Sequence, residues 1–291
     1  MNRPIGPQSL VREVRERFHA ELLQTILTVN DRGVYSNADS GSQPSTAIAA
    51  RMAHLLRAET VAERLAGQTS GNRFEVLVAN FVRDTFCRLQ HLRPGDWRVE
   101  QMRGARTTAL ARYVQYAHLT ALADAAAESV DLAAALGNDY SIKPDVVVYR
   151  LPALDDEINS PQLLIDDGVA ERAVLRQKVN PSPILHASIS CKWTMRSDRS
   201  QNTRTEALNL IRNRKGRLPH IVAVMGEPLP SRISSVALGT GDIDCTYHMA
   251  LPELQEAVDD VGGPEDRRLM RIMVQGGRLK DISDLPFDLA V

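Results

Sequence analysis

The residues from Ile184 to Lys192 read Ile-Leu-His-Ala-Ser-Ile-Ser-Cys-Lys, an apolar run closed by a lysine. Asn180-Pro181-Ser182-Pro183 stands before it, a cluster of turn formers. A run of this length between such punctuation predicts a strand. Val146-Val147-Val148-Tyr149, opened by Pro144, predicts a second, short and buried. Side chains alternate along a strand, so Ser190 and Lys192 share one face and Cys191 points to the other. Lys192 can then present its ammonium to a phosphate oxygen or an attacking water. Asp145, at the start of its own strand, offers the hard oxygen that magnesium prefers. A divalent ion beside it would polarise a phosphoryl oxygen and stabilise the leaving oxygen.

Two further carboxylates fit the same chemistry. Ser200 to Asn213 predicts a helix whose apolar face is Ala207, Leu208, Leu210 and Ile211, with Glu206 at its edge. Glu75 lies in the helical pattern Phe74-Glu75-Val76-Leu77-Val78-Ala79-Asn80-Phe81-Val82, where Val78, Ala79 and Val82 follow it on one face. Carboxylates are seldom buried without a partner, so a cation or a bound water is a reasonable companion. Each residue also has a plainer explanation. Asp145 could be a turn residue, Lys192 a solvated charge, Glu206 an exposed helix position, and Glu75 a partner of Arg73. Their order on compatible elements favours the functional reading.

The net charge of −1 excludes a globally basic nucleic-acid coat, and the positive charge is local. From Lys192 to Arg217 eight Lys or Arg residues face only Asp198 and Glu206. Such a patch neutralises phosphates and makes binding salt-dependent. A second basic stretch runs from Arg93 to Arg112. Within the first patch stands Arg196-Ser197-Asp198-Arg199. Arginine donates to guanine O6 and N7 in the major groove, and aspartate accepts from cytosine N4. The segment therefore suits a reader of guanine–cytosine pairs, although alone it could equally be a salt-bridged helix start.

Cys87, Cys191 and Cys245 show neither zinc spacing nor a disulfide framework, and Cys191 reads as a small core residue rather than a nucleophile. No signal peptide and no long apolar run is present, so a cytoplasmic protein without a membrane anchor is expected. The chain is expected to form one α/β domain over residues 1–291, with 1–137 mainly helical and 138–291 carrying the sheet and the recognition helix. Helices are expected over Leu10–Val29, Thr46–Leu65, Asn72–Leu89, Ala109–Leu136, Pro252–Val261 and Glu265–Val274. Ile221–Met225 and Ile233–Ala237 are expected to be strands, and Asp155–Glu171 a solvated loop.

These residues resemble the PD-(D/E)XK nuclease superfamily and, within it, the NgoMIV-like type II restriction endonucleases that recognise a CCGG core. The acid usual two residues before the lysine is replaced here by Ser190, as that branch has it: Pro144-Asp145, then Ser190-Cys191-Lys192, then Glu206 from the next helix. Glu75 matches the branch's additional upstream acid, and Arg196-Ser197-Asp198-Arg199 its recognition element. The resemblance implies a mixed central sheet flanked by helices and magnesium-dependent hydrolysis of both strands of duplex DNA. It implies a catalytic set of Asp145, Lys192, Glu206, Glu75 and Ser190, with metal held by Asp145 and the backbone carbonyl of Cys191. Arg196, Asp198 and Arg199 would read the core, and Arg232 the outer guanine of GCCGGC. Asp39 and Gln68 would approach the DNA elsewhere, although Gly41 stands where the family can place a hydroxyl. A palindromic site calls for a dimer. The resemblance implies a homotetramer, and a companion DNA methyltransferase in the host. A structure-specific nuclease of the same fold and a DNA-binding regulator without catalysis are the alternatives.

Overall fold

The computed structural model describes residues 8–57, 67–102, 109–137, 142–195, 197–239 and 241–291, except the side chains of 67–69 and 197–199. Its centre is one six-stranded sheet whose spatial order follows the chain. The strands are β1 (Trp97–Gln101), β2 (Val146–Arg150), β3 (Ile184–Lys192), β4 (His220–Met225), β5 (Cys245–His248) and β6 (Leu279–Asp281). β1, β2 and β3 pair antiparallel, and β3 to β6 pair parallel, so the sheet is mixed as expected. β3 is its axis, long enough to pair with β2 on one side and with β4 on the other.

The helices in chain order are α1 (Leu10–Thr25), α2 (Gln43–Leu55), α3 (Gly67–Phe86), α4 (His118–Glu128), α5 (Val130–Leu136) and α6 (Asp155–Ile158), then α7 (Ser197–Asn213), α8 (Pro230–Ala237), α9 (Leu251–Val261), α10 (Pro264–Gln275) and α11 (Leu285–Asp288). α3 packs on β1, β2 and β3 with α1 behind it, and α8 joins α7, α10 and β5. The stripe Phe74, Val78, Phe81 and Val82 of α3 is fully or almost fully buried, so the periodicity of that segment translates directly into the core. Among the described residues no helix is long and apolar enough to cross a membrane.

Several elements differ from the sequence expectation. Ile233–Ala237 is not a strand but the body of α8; Pro230 opens the helix, and Ile233, Val236 and Ala237 are buried at helical spacing. The helix expected over Ala109–Leu136 is broken into two 3-10 turns, Ala109–Arg112 and Val114–Tyr116, followed by α4 and α5. Gln115 explains the break. Its Nε2 donates to the Leu185 carbonyl at 2.7 Å and its Oε1 accepts from the Leu185 amide at 3.0 Å. This side chain thus pairs with the start of β3 as a neighbouring strand would. Ser129 separates α4 from α5 and caps the latter, accepting from Leu132 N at 3.2 Å. β1, β5 and β6 were not anticipated, and β1 gives the otherwise helical first half an edge strand. α1 stops at Thr25, α2 starts at Gln43 with Ser42 as its cap and stops at Leu55, and α3 stops at Phe86. Residues 58–65 of the expected second helix lie outside the description. Leu208 is 38% exposed, so the buried face of α7 is Thr203, Ala207 and Leu210 instead.

Gln115→Leu is expected to destabilise the chain by about 2 kcal/mol or more, because two buried main-chain groups of Leu185 lose their partner. Urea denaturation measures it; a change under about 0.5 kcal/mol would show that the contact is dispensable.

Candidate active site

β3 runs past its neighbour. The last β2–β3 pair is Val146 with Ile189, whereas β3 continues beside β4 until Lys192 pairs with Met225. The amide of Cys191 is therefore left without a strand partner on the β2 side. Asp145, one residue before β2, fills the position: its Oδ2 accepts from Cys191 N at 2.7 Å and from Lys192 Nζ at 2.9 Å. The Asp145 carbonyl accepts in turn from Met102 N at 3.0 Å, which fastens the aspartate to the end of β1. Asp145 Oδ1 takes no hydrogen bond among the described residues, and it is the oxygen left for another ligand.

Lys192 and Asp145 are both mostly shielded, with side chains 18% and 19% exposed. Burial pulls the ammonium down, but Asp145, through its charge and hydrogen bond, and the more distant Glu206 outweigh it and hold Lys192 above the ordinary lysine range. The Cys191 thiol points into the core. Burial, then the charges of Asp145 and Glu75, push it well above the ordinary thiol range, so it is no nucleophile.

Glu206 comes from α7, which Tyr116 anchors by donating to the Leu210 carbonyl at 3.0 Å and Arg204 by donating to Asp242 at 2.8 Å. Its carboxyl lines a cavity with Ser188, Ser190, Thr203 and Pro144. Burial raises Glu206 to about 7, Lys192 opposing and Asp145 reinforcing the rise. No hydrogen bond or ion pair to Glu206 is found among the described residues, and the Ser190 hydroxyl beside it is buried without a partner. Glu75 reaches the site through β1: Gln101 Nε2 donates to its Oε2 at 2.8 Å, and Gln101 pairs with Val146 next to Asp145.

No group of three or more His, Cys, Asp or Glu side chains among the described residues is arranged as a metal cage. The donors fit magnesium nonetheless. Magnesium is held by one or two carboxylates, with water and substrate phosphate completing its shell. Among the described residues, an Asp145 oxygen without a hydrogen bond, the main-chain carbonyl of Cys191, the half-buried Glu206 carboxyl and the Ser190 hydroxyl are oxygen donors of the kind that suits such an ion.

A second cluster lies beyond Lys192. Arg232 of α8 donates through Nη1 to the Met195 carbonyl at 3.1 Å and through Nη2 to Asp39. Asp39 is set by its own turn, accepting from Gly41 N at 3.0 Å, while its amide donates to Ser45 Oγ of α2 at 3.0 Å. Two residues expected to face DNA thus meet beside Met195, at the entrance to the arginine-rich segment. Arg196 lies outside the described residues, as do the side chains of Asp198, Arg199 and Gln68, although Asp198 and Arg199 belong to the first turn of α7 and Gln68 to that of α3. Among the described residues of the second basic stretch, Arg98 pairs with Asp96 and Arg112 with Glu100, while Arg93 lies over Trp97. Sequence reasoning missed Gln101 and Glu227. Glu227 is fully buried and accepts from Met195 N at 2.7 Å.

The family model described as NgoMIV restriction enzyme matches residues 18–291. The type II restriction enzyme NgoMIV of Neisseria gonorrhoeae is 57% identical over 283 residues, which cover 97% of this chain and 99% of the relative. Among solved structures, Bse634I, a type IIF restriction endonuclease with cognate DNA, aligns with a TM-score of 0.39 at 12% identity over 85% of this chain and 91% of its own. The PspGI–substrate DNA complex aligns with a TM-score of 0.31 at 16% identity over 98% and 92%.

A carboxyl whose folded pKa is raised carries a penalty that is absent below its unfolded value and complete above its folded value. For Glu206 the window runs from the ordinary glutamate range up to about 7. Glu206→Gln is therefore expected to be more heat-stable than the parent at pH 8 without divalent ions, by on the order of 1 kcal/mol or more. The gain should shrink as pH falls through 7 and vanish near 5. Thermal denaturation at stepped pH checks it; a variant less stable at pH 8 would contradict the burial argument.

Proposed function

The chain belongs to the NgoMIV restriction enzyme family, and on that premise we propose that it is a magnesium-dependent type II endonuclease cutting duplex DNA at GCCGGC. The observation that carries the proposal is the pair of hydrogen bonds by which one Asp145 oxygen holds both Lys192 and the strand end, leaving its other oxygen open. Asp145 and the Cys191 carbonyl would hold Mg²⁺. When bound, the ion would supply polarisation of the phosphate and a more acidic water.

The chain's own groups supply the rest. An ammonium has three donors, and Asp145 takes one, so Lys192 keeps two for a phosphate oxygen and a water. Its raised pKa keeps it cationic throughout the working pH range. Glu206, near 7, is balanced to take a proton from a water in that cavity. Ser190 would orient the same water, and Glu75, held by Gln101, would fix a second.

Recognition would fall to Arg196 and Arg199 on the core guanines and Asp198 on the cytosines. Arg232 would take the outer guanine, with Asp39 orienting its guanidinium and Gln68 approaching nearby. A palindrome is read by two copies of one chain related by a two-fold axis, and a tetramer would pair two such dimers. The enzyme would act as one domain, in the cytoplasm, with a methyltransferase protecting host sites.

Digestion of a sequenced plasmid with Mg²⁺, followed by end mapping, tests the specificity. Cuts are expected at GCCGGC alone; cutting at every CCGG, or none at all, would overturn it. Asp145→Asn is expected to abolish cleavage while keeping specific binding in a gel shift, since a metal ligand is lost and no base contact is. Near-normal cutting by that variant would remove Asp145 from the metal site.

A further inference from the structure

Glu227 follows β4 in the segment Met225-Gly226-Glu227-Pro228 and has no exposed surface. A buried carboxylate is costly unless something uses its charge. Its Oε2 accepts from Met195 N at 2.7 Å and its Oε1 from Leu229 N at 3.1 Å. Arg232 Nη1 lies 3.9 Å from Oε2, and the same nitrogen donates to the Met195 carbonyl at 3.1 Å. Met195 is thus held at both main-chain atoms, by Glu227 at its amide and by Arg232 at its carbonyl.

The neighbouring contacts show why the position matters. Gly226 N donates to the Lys192 carbonyl at 2.9 Å. A side chain at Gly226 would come within 2.7 Å of the Trp193 ring, so only glycine lets the two segments lie this close. Residues 226 and 227 therefore brace the chain from Lys192 to Met195, with the lysine at one end and Arg196 beginning at the other. Arg232 is flanked by carboxylates, Glu227 beneath it and Asp39 beside it.

We infer that Glu227 is a positioning residue for sequence reading, holding Met195 and orienting Arg232 toward the outer base pair. The inference rests on the proposed reading of Arg232 as an outer-base contact. A glutamine of the same shape keeps one oxygen to accept from the Met195 or the Leu229 amide and turns its Nε2, a donor, to the other. What it cannot supply is the negative charge under Arg232. Burial raises Glu227 to about 7, with the Met195 and Leu229 amides and Arg232 pulling it back, so the charge is lost in a reachable range.

The full-length protein and Glu227→Gln are compared for cleavage of two duplexes that differ only in the outer pair, GCCGGC and ACCGGT. The parent is expected to prefer GCCGGC, and Glu227→Gln to lose about tenfold of that preference while still cutting the better site. In an Arg232→Met background, Glu227→Gln should change the preference no further, which a merely structural role does not produce. A parental preference retained in Glu227→Gln would overturn the role of Glu227 and leave Arg232 standing. A parent that cuts at the CCGG core but ignores the outer pair would overturn the reading of Arg232, and this inference with it.

A second measurement needs no folded Glu227 variant. The ratio of affinities for the two duplexes, without divalent ions, is followed from pH 8 to pH 6. The groups facing Glu227 are Arg232 of α8, Asp39 before α2, and His248 of β5, whose ring meets the Glu227 main chain. Burial lowers His248 to about 4, outside this window. Glu206 does titrate within it, but it serves both duplexes alike and cancels in the ratio. The ratio is expected to fall as Glu227 takes its proton, and to stay flat in Arg232→Met. A flat ratio in the parent would overturn the inference.

Discussion

A strand that outruns its neighbour leaves main-chain groups to be satisfied, and the site depends on how this one is satisfied. β2 begins at Val146 while β3 continues to Lys192, so the Cys191 amide needs an acceptor from elsewhere. Asp145 supplies it with the oxygen that also receives Lys192. Unsatisfied buried amides are rare because they cost as much as a lost hydrogen bond. The same contact thus closes the sheet and sets the charges. Pro144 donates no hydrogen bond there, and Met102 of the edge strand holds the Asp145 carbonyl from the other side.

Around that contact the protein accumulates carboxyls that burial disfavours. Glu206 and Glu227 both rise to about 7, one beside Lys192 and one beneath Arg232. They differ in what compensates them. Glu227 has two amides and a guanidinium near it, whereas Glu206 has no hydrogen-bond partner among the described residues. Strain of this kind is expected where charge is kept for a ligand that arrives later, at a cost in stability. The lysine resolves the opposite way, since Asp145 and Glu206 together overcome its burial.

Much of the centre was legible because it is local. β3 has the bounds its apolar run and Asn-Pro-Ser-Pro border predict, and the alternation that sets Ser190 apart from Cys191 is visible in burial. Asp145 and Lys192 were legible as a motif, but their shared oxygen was not, because it depends on where β2 stops. β5 and β6 escaped notice as short strands with polar members, Cys-Thr-Tyr-His and Leu-Lys-Asp. Ile233–Ala237 misled because an apolar pattern this short fits a strand or a helix alike, and Pro230 decides for the helix. The Arg232–Asp39 pair joins residues 193 positions apart, and only the fold brings them together. Glu227 stands between a strand and a proline, and nothing in one sequence marks it as buried.

Asp145, which holds Lys192 and is proposed to hold the metal, is the residue on which the chemistry turns. Calorimetric titration of Mn²⁺ into the complex with a GCCGGC duplex, for the parent and for Asp145→Asn, measures this without relying on turnover. Saturable metal binding is expected of the parent, and its loss in Asp145→Asn, with duplex affinity retained. Equal metal binding by both proteins would contradict it.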